Sequence, residues 1–547
     1  MPYHKMAMAR DKKNPYLKVK GERLEITPQG RKYLDSIVTD SRGQVYAFYG
    51  KASPLLVAAA MARLSRRGSD TREIYLDEFA MTGEADASGL IHRVVTAYGD
   101  DSVQQLVGLH FVVEDASNYL TKLLEWGRFA AYLEQSTRYI YYDQKNEAGE
   151  YKYFTPPNLD KKTRAAYKKT NDEIFGLYSA MVRSLTEHVR QKTGEPQDPR
   201  EKMAWHGATR AQACDAIRPV LPISTESTVG IFASAQAVES LILNLLAEDM
   251  EEARVVGQRI LEEARKVIPA FLERVDKPDR GGATTAYWAN TRTALQGLAQ
   301  EYLPLKSETT KKESVELLDY WPRNESDLLP HLLFSDSNLS TKELEKSFAK
   351  LSKKQKAEVF KAYLGKRLNR RHKPGRAFEI PHYLWEVTAD YGTYRDLQRH
   401  RVVDAWEWQK LGIDYGYEIP PLVKEAGLQD DFKKCFKLAE DLYEQMIKAG
   451  YETEAQYAVL FGYRIRYKFM LNARAAFHFI ELRSSPQGHP GYRRVVNKMH
   501  GLISQVHPGV AAAMTFVNRD EDPELTRMAA ELATQYKLEK LDKISIK

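Results

Sequence analysis

Along most of the chain apolar residues recur at three- and four-residue steps, as in Val256, Ile260, Ala264, Val267 and Phe271 of EEARVVGQRILEEARKVIPAFLERV. That is the period of an amphipathic helix, and the stripe is expected to lie in a core. Two shorter segments, Gln44 to Tyr49 (QVYAFY) and Tyr151 to Thr155 (YKYFT), mix aromatic and β-branched residues near glycines and prolines and are predicted as strands. The pattern predicts an α+β, helix-rich fold. Segment 276–314 opens with DKPDRGG, closes with KSETTKKES and is more helical between, which predicts a linker separating domains at 1–275 and 315–547.

The two sides of that linker form a diverged repeat. Tyr153-Phe154-Thr155-Pro156-Pro157 has a counterpart in Tyr417-Glu418-Ile419-Pro420-Pro421, each after a segment rich in arginine and aromatics. Further on, the AIRPVLP run around Arg218 precedes Pro269 by nearly the same interval as the AQYAVLF run around Gln456 precedes Pro508. Matching order and spacing point to a tandem duplication.

Composition narrows the class. At 547 residues, 43% hydrophobic and 28% charged, the chain is long enough for several domains and apolar enough to fold. A net charge of +7 spread over this length is not the footprint of a dedicated nucleic-acid binder. Two cysteines, Cys214 and Cys435, allow no disulfide framework and fit a reducing cytoplasm. The basic N-terminal stretch lacks the apolar core of a signal peptide, and the longest apolar run, Leu55 to Ala62, is too short to span a bilayer, so a cytoplasmic protein without a membrane segment is expected.

Three runs carry candidate chemistry. In Glu134-Gln135-Ser136-Thr137-Arg138-Tyr139 a hydroxyl and a guanidinium two residues apart can reach one phosphate, with Arg218 as a third donor. Arg399-His400-Arg401 sets three potential cations side by side, with Tyr391, Tyr394, Trp406 and Trp408 nearby, a setting suited to a flat ring with a phosphate tail. In Asn472 to Arg483, a predicted helix, Asn472, Arg474, His478 and Arg483 stand among Phe477, Phe479, Ile480 and Leu482, and polar groups on so apolar a helix need partners. Glycine-rich phosphate loops, GxSxG, HExxH and metal-ligand histidine spacing are all missing, so no metal is expected.

Together these runs resemble the flavin-dependent thymidylate synthases, whose hallmark is R-H-R followed by a serine in the context N-E-x-S-x-R-Y. Here the hallmark is divided. The first half keeps Glu134, Ser136, Arg138 and Tyr139 but has Trp126, Gly127 and Arg128 in place of R-H-R; the second keeps Arg399-His400-Arg401 and Glu407 but has Gln409 and Leu411. The family's A-R-x-x-L-P arginine matches Arg218 and is Gln456 in the second half. Its N-x-R-x-x-x-N/H-F-x-x-x-R run matches Asn472, Arg474, His478 and Arg483, whereas Ser234, Gln236, Ser240 and Leu245 stand there in the first. Pro374-Gly375-Arg376-Ala377-Phe378-Glu379 matches part of a further flavin-contacting motif, and Asp396 replaces a glutamine that touches the nucleotide.

The resemblance implies two tandem copies of one α+β domain that together make a composite site for reductive methylation of a pyrimidine nucleotide at C5, such as dUMP to dTMP. FAD would be the hydride carrier, with NADPH and methylenetetrahydrofolate as co-substrates. It implies Arg483 and Ser136 as catalytic residues, with Glu134, Arg138, Arg218, Asp396 and Arg399 also on the substrate. Flavin would be held by Arg376, Glu379, Arg399, His400, Arg401, Asn472, Arg474 and His478. Because the family is tetrameric, two chains would suffice as a homodimer. A same-fold flavoprotein acting on another pyrimidine, and a non-catalytic nucleotide- or nucleic-acid-binding descendant, are the alternatives.

Overall fold

A computed structural model describes residues 14–20, 23–64, 67–81, 84–97, 101–304, 311–520 and 525–545. Near its start are an antiparallel ribbon, β1 (Leu17–Lys20) and β2 (Arg23–Ile26), and α1 (Pro54–Leu64), in which the longest apolar run buries Ala58, Ala59 and Ala60. Two runs of similar order follow. The first is β3 (Gly108–Ser117), α2 (Asn118–Leu124), β4 (Ala130–Glu134), the long helices α3 (Lys161–Thr193) and α4 (Pro199–Ile217), β5 (Glu226–Ser234), α5 (Ala235–Leu246), α6 (Glu251–Val267) and α7 (Gly281–Tyr302). The second is β6 (Ser314–Trp321), β7 (His382–Asp390), α8 (Tyr391–Gln398), β8 (Asp404–Trp408), α9 (Gln429–Lys448), β9 (Arg464–Asn472), α10 (Ala473–Arg483) and α11 (Pro490–Val506), with α12 (Thr526–Ser545) last.

The strand-to-helix corners explain why these segments switch period where they do. At β3–α2 and β7–α8 the last strand residue, Ser117 or Asp390, turns its side chain onto a helix N–H, of Leu120 at 3.0 Å and Thr393 at 2.8 Å. Ser234 and Asn472 do the same at β5–α5 and β9–α10, accepting from Ala237 at 3.3 Å and Ala475 at 2.8 Å. Each cap satisfies an otherwise orphaned donor. The cap positions correspond between the runs.

Equivalent backbone segments of the two runs also meet reciprocally. Ile223 N–H donates to the Val459 carbonyl at 2.8 Å and Phe461 N–H to the Leu221 carbonyl at 2.9 Å, around a bridge between Pro222 and Leu460. Outside it, Ser224 donates to Tyr457 at 3.3 Å and Gly462 to Pro219 at 2.8 Å. One shift in numbering converts each bond of a pair into the other, the signature of a local two-fold axis. The Tyr-x-x-Pro-Pro segments behave alike: Tyr153 packs on Phe175 of α3 with ring centroids 5.6 Å apart, and Tyr417 stacks on Phe436 of α9 at 3.6 Å.

Two larger sheets result. β5 lies between β3 and β4, and β6-β7-β9-β8 forms an antiparallel four-stranded sheet in which β7 and β9 pair without interruption from His382–Asn472 to Asp390–Arg464. By contacts the chain gathers into two compact units that cut across the sequence repeat: Met1–Val113, Phe129–Leu133 and Gly230–Pro304 form one, and Glu114–Arg128, Glu134–Val229 and Leu305–Lys547 the other.

Two strand expectations need correction. Gln44 to Tyr49 is a loop with one bridge, Val38 to Phe48; its aromatic pattern serves packing, since Tyr46 and Phe48 lie against Leu34, Val38 and Leu76. Tyr151 to Thr155 likewise makes only isolated bridges, because Tyr151 and Tyr153 turn onto Phe175 and the two prolines end the segment. The more helical stretch expected within segment 276–314 is the 22-residue helix α7, anchored where Arg292 donates to the Ala247 carbonyl at 2.6 Å and to Glu248 at 2.9 Å. In α6 the buried stripe runs through Ala253, Gly257, Ile260, Leu261 and Ala264, while Val267, in the last turn, is 61% exposed. Gly257 permits the close approach of α5, for a Cβ there would lie 2.9 Å from Leu245 Cβ.

Candidate functional site

All the charged residues that follow belong to the second unit. Helix α8 is buried along its length. Tyr391 OH donates to the Asn118 carbonyl at 2.7 Å and Gln398 Nε2 to the Lys122 carbonyl at 2.9 Å, so α8 is seated on α2, its counterpart in the first run. From this seat α8 delivers Arg395, Asp396 and Arg399.

Glu134, at the end of β4, receives three cations: Arg395 Nη2 at 2.7 Å on Oε1, and Arg399 Nη2 at 2.9 Å and Lys122 Nζ at 3.2 Å on Oε2. Burial works to raise the Glu134 pKa, but Arg395, Lys122 and Arg399 outweigh it and hold the carboxyl well below its usual range. Lys122 also bridges to Glu125, whose carboxyl burial pushes up.

Next to this group Arg218 donates Nη2 to Asp396 Oδ2 at 3.1 Å, and Arg399 lies 3.5 Å from Asp396 Oδ1. Burial would raise the Asp396 pKa, and the fields of Arg218, Arg399, Arg483 and Arg138 overcome it, leaving an ionised carboxylate among four guanidiniums. Arg138 makes a two-pronged bond to Asp215, Nε to Oδ1 at 2.7 Å and Nη2 to Oδ2 at 2.6 Å, and its Nη1 lies 3.3 Å from Tyr492 OH. Arg483, at the end of α10, lies over the Tyr492 ring at 5.3 Å and donates Nε to His400 Nε2 at 2.8 Å. His400 accepts that bond, so its proton sits on Nδ1; burial and Arg483 keep the ring neutral. Ser136 receives the Arg138 N–H at 3.2 Å.

The expected substrate residues Glu134, Ser136, Arg138, Arg218, Asp396, Arg399 and Arg483 thus converge within one chain, around Asp396 and Tyr492. The residues expected at the flavin form an adjoining group. Glu379 Oε2 accepts from Arg376 Nε and Nη2 at 3.1 and 3.0 Å, and its Oε1 lies 3.4 Å from Arg474 Nη1. His400 faces His478 at 5.6 Å and Phe479 at 4.4 Å, a wall of flat rings. Asn472 is the α10 cap, and Arg401 is exposed. Flat rings beside exposed guanidiniums match the two ends of a dinucleotide, so the donor set fits FAD.

Sequence reasoning missed Lys122, Asp215 and Tyr492. Asp215 did carry a signal, three residues before Arg218 near the end of α4, a spacing that places the two on adjoining faces. Lys122 and Tyr492 carried none. Both cysteines are buried, and burial pushes each thiol up to about 12, which keeps them protonated.

The mirror position, where the halves exchange roles, carries different side chains. Gln456, the counterpart of Arg218, is buried and accepts the Leu411 N–H at 3.0 Å. Trp126 packs edge-to-face on Trp408 with centroids 6.2 Å apart, and Arg128 pairs with Asp404 at 2.8 Å.

These features describe an α+β protein whose two runs correspond in order and whose second unit gathers a cluster of arginines around Asp396. The family-level sequence description of the thymidylate synthase complementing protein matches residues 50–270 and 316–509, and the chain belongs to that family. A UPF0159 protein of Chlamydia muridarum is 30% identical over 518 residues, covering 91% of this chain and 96% of the relative. A flavin-dependent thymidylate synthase of Clostridium tetani is 24% identical over 184 residues, 33% of this chain and 68% of the relative. Among solved structures, the UMP/dUMP methylase PolB of Streptomyces cacaoi aligns at 17% identity and a TM-score of 0.31, covering 40% of this chain and all (100%) of that one. Among the described residues no helix is long and apolar enough to cross a membrane.

Proposed function

We propose that this chain is a flavin-dependent enzyme that methylates a pyrimidine nucleotide or nucleoside at C5, built from two thymidylate synthase-like copies, within 1–275 and 315–547, that share one site. The observation that carries this reading is the meeting of Arg138 and Arg218 from the first copy with Arg399 and Arg483 from the second around Asp396. Family membership and the flavin-dependent relative support it.

In this reading methylenetetrahydrofolate is the carbon donor and NADPH the reductant. When bound, FAD supplies the hydride. Arg376, Glu379, Arg401, Asn472, Arg474 and His478 would hold it, with Arg399 and His400 at its border with the substrate. Arg483, steadied by neutral His400 and by Tyr492, presents its terminal nitrogens to the O2/N3 edge of the ring and stabilises the negative charge that develops there. Ser136, Arg138 and Arg218 fix the sugar end, so that C5 is held in one orientation. Glu134 secures Arg399 and Arg395. We place two such chains in a cytoplasmic homodimer that rebuilds a four-copy arrangement.

Purified protein should be yellow, yield about one FAD per chain on denaturation, and release tritium from a C5-tritiated pyrimidine. Colourless protein that carries nucleic acid and releases no tritium contradicts the reading.

A further inference from the structure

Positive charge is concentrated in one short stretch of the chain. Residues 366–376, KRLNRRHKPGR, hold six Lys or Arg and no acidic residue, against a net charge of +7 for all 547 residues. So dense a run of like charge repels itself, yet the protein holds it in one arrangement against α10. Arg367 forks onto Glu481, Nη1 to Oε1 at 2.7 Å and Nη2 to Oε2 at 2.6 Å, a buried pair whose guanidinium also lies over the rings of Phe477 and Phe516. Its Nε donates to the His372 carbonyl at 2.6 Å and closes the loop, and at the far end the Pro374 carbonyl accepts from Arg474 Nε at 2.8 Å. Within the loop the Asn369 side chain accepts the Arg371 N–H at 2.8 Å.

The two anchors, Arg474 and Glu481, lie on either side of His478 along α10, so the loop sits beside the ring wall expected at the flavin. Burial, together with Lys373 and Arg370, lowers the His478 pKa, which agrees with that placement. The outer cations Arg367 and Arg376 are neutralised by Glu481 and Glu379. Lys366, Arg370, Arg371 and Lys373 form no ion pair among the described residues; Arg370 is half-buried and the other three are exposed.

We infer that this loop docks the oligoglutamate tail of the folate co-substrate, whose carboxylates pair with Arg370, Arg371 and Lys373. The inference rests on the folate reading above and concerns only the tail. Separate cations set along an exposed loop match carboxylates strung along a flexible chain, whereas a single phosphate calls for guanidiniums that converge on one point. The anchors fix the loop backbone, so little loop ordering opposes binding. Exposed ion pairs are weak one at a time, and three acting together give a measurable preference for a longer tail.

Calorimetric titration of the FAD-loaded full chain, with dUMP present, compares tetrahydrofolate monoglutamate with the pentaglutamate. The expected result is about ten-fold tighter binding of the pentaglutamate at low salt, a difference that narrows as salt rises. Arg370→Ser, Arg371→Ser and Lys373→Ser combined should abolish that difference while leaving FAD content and monoglutamate affinity unchanged. The wild-type comparison stands even if the variant fails to fold. Equal binding of the two folates by the wild type, a difference that survives in the variant, or a folded variant that loses FAD or is weakened only toward NADPH overturns the inference and leaves the folate reading intact. Binding of neither folate overturns both.

Discussion

Glu134 shows what a single residue carries in this site. Its two oxygens serve Arg395, Arg399 and Lys122, all on a carboxylate with no exposed side-chain surface (0%). Glu134→Gln would leave buried cations without their counter-charge, and unfolding by urea should show a loss of about 3–5 kcal/mol. Because its folded pKa is depressed, the stability it confers is present above the ordinary carboxylate range and is lost as pH falls below it. His489 acts in a higher window. It caps α11 by accepting the Gly491 N–H at 3.1 Å, and burial, with Arg218 and Arg138 nearby, lowers its pKa from 6.5 to about 4, against the opposing pull of Asp215 and Asp390. The unfolded chain takes up this proton first, so stability should fall as pH drops from 6.5 to 4. A series of melting curves should show that slope, and His489→Asn, which keeps a capping oxygen, should flatten it.

At the scale of elements, the strand-then-helix units explain which parts of the site the sequence reveals. Arg138, Arg218, Arg399 and Arg483 were legible because each lies in a short local motif. The pairing of Arg138 was not, because it reaches Asp215 and Tyr492 across 77 and 354 residues and only the tertiary fold joins them. Aromatic alternation misled at Gln44 to Tyr49 and Tyr151 to Thr155, where rings fill cores and no ladder forms. The corner capped by Asn472 starts the helix that carries Arg474, His478 and Arg483, while the corresponding helix of the first run carries none of the three. Arg474→Ala should therefore lower the FAD content of purified protein several-fold, as absorbance reports, while Trp126→Ala, in the mirror position, should leave it unchanged.

Over the whole molecule, duplication has allowed the two copies to specialise. The local two-fold axis relates their backbones around Pro222 and Leu460, yet the side chains on either side differ: one position gathers four arginines around Asp396, and the other carries Trp126, Trp408 and Gln456. On the proposed reading one chain contains one site, assembled from both copies without help from a second chain. Calorimetric stoichiometry tests this most directly, using whichever of deoxyuridine and dUMP binds the wild type more tightly. The account predicts saturation at about one ligand per chain, loss of about ten-fold or more in affinity for Arg218→Ala and for Arg483→Ala alike, and no recovery when the two variants are mixed. Two ligands per chain, or a mixture that regains wild-type binding, would contradict it.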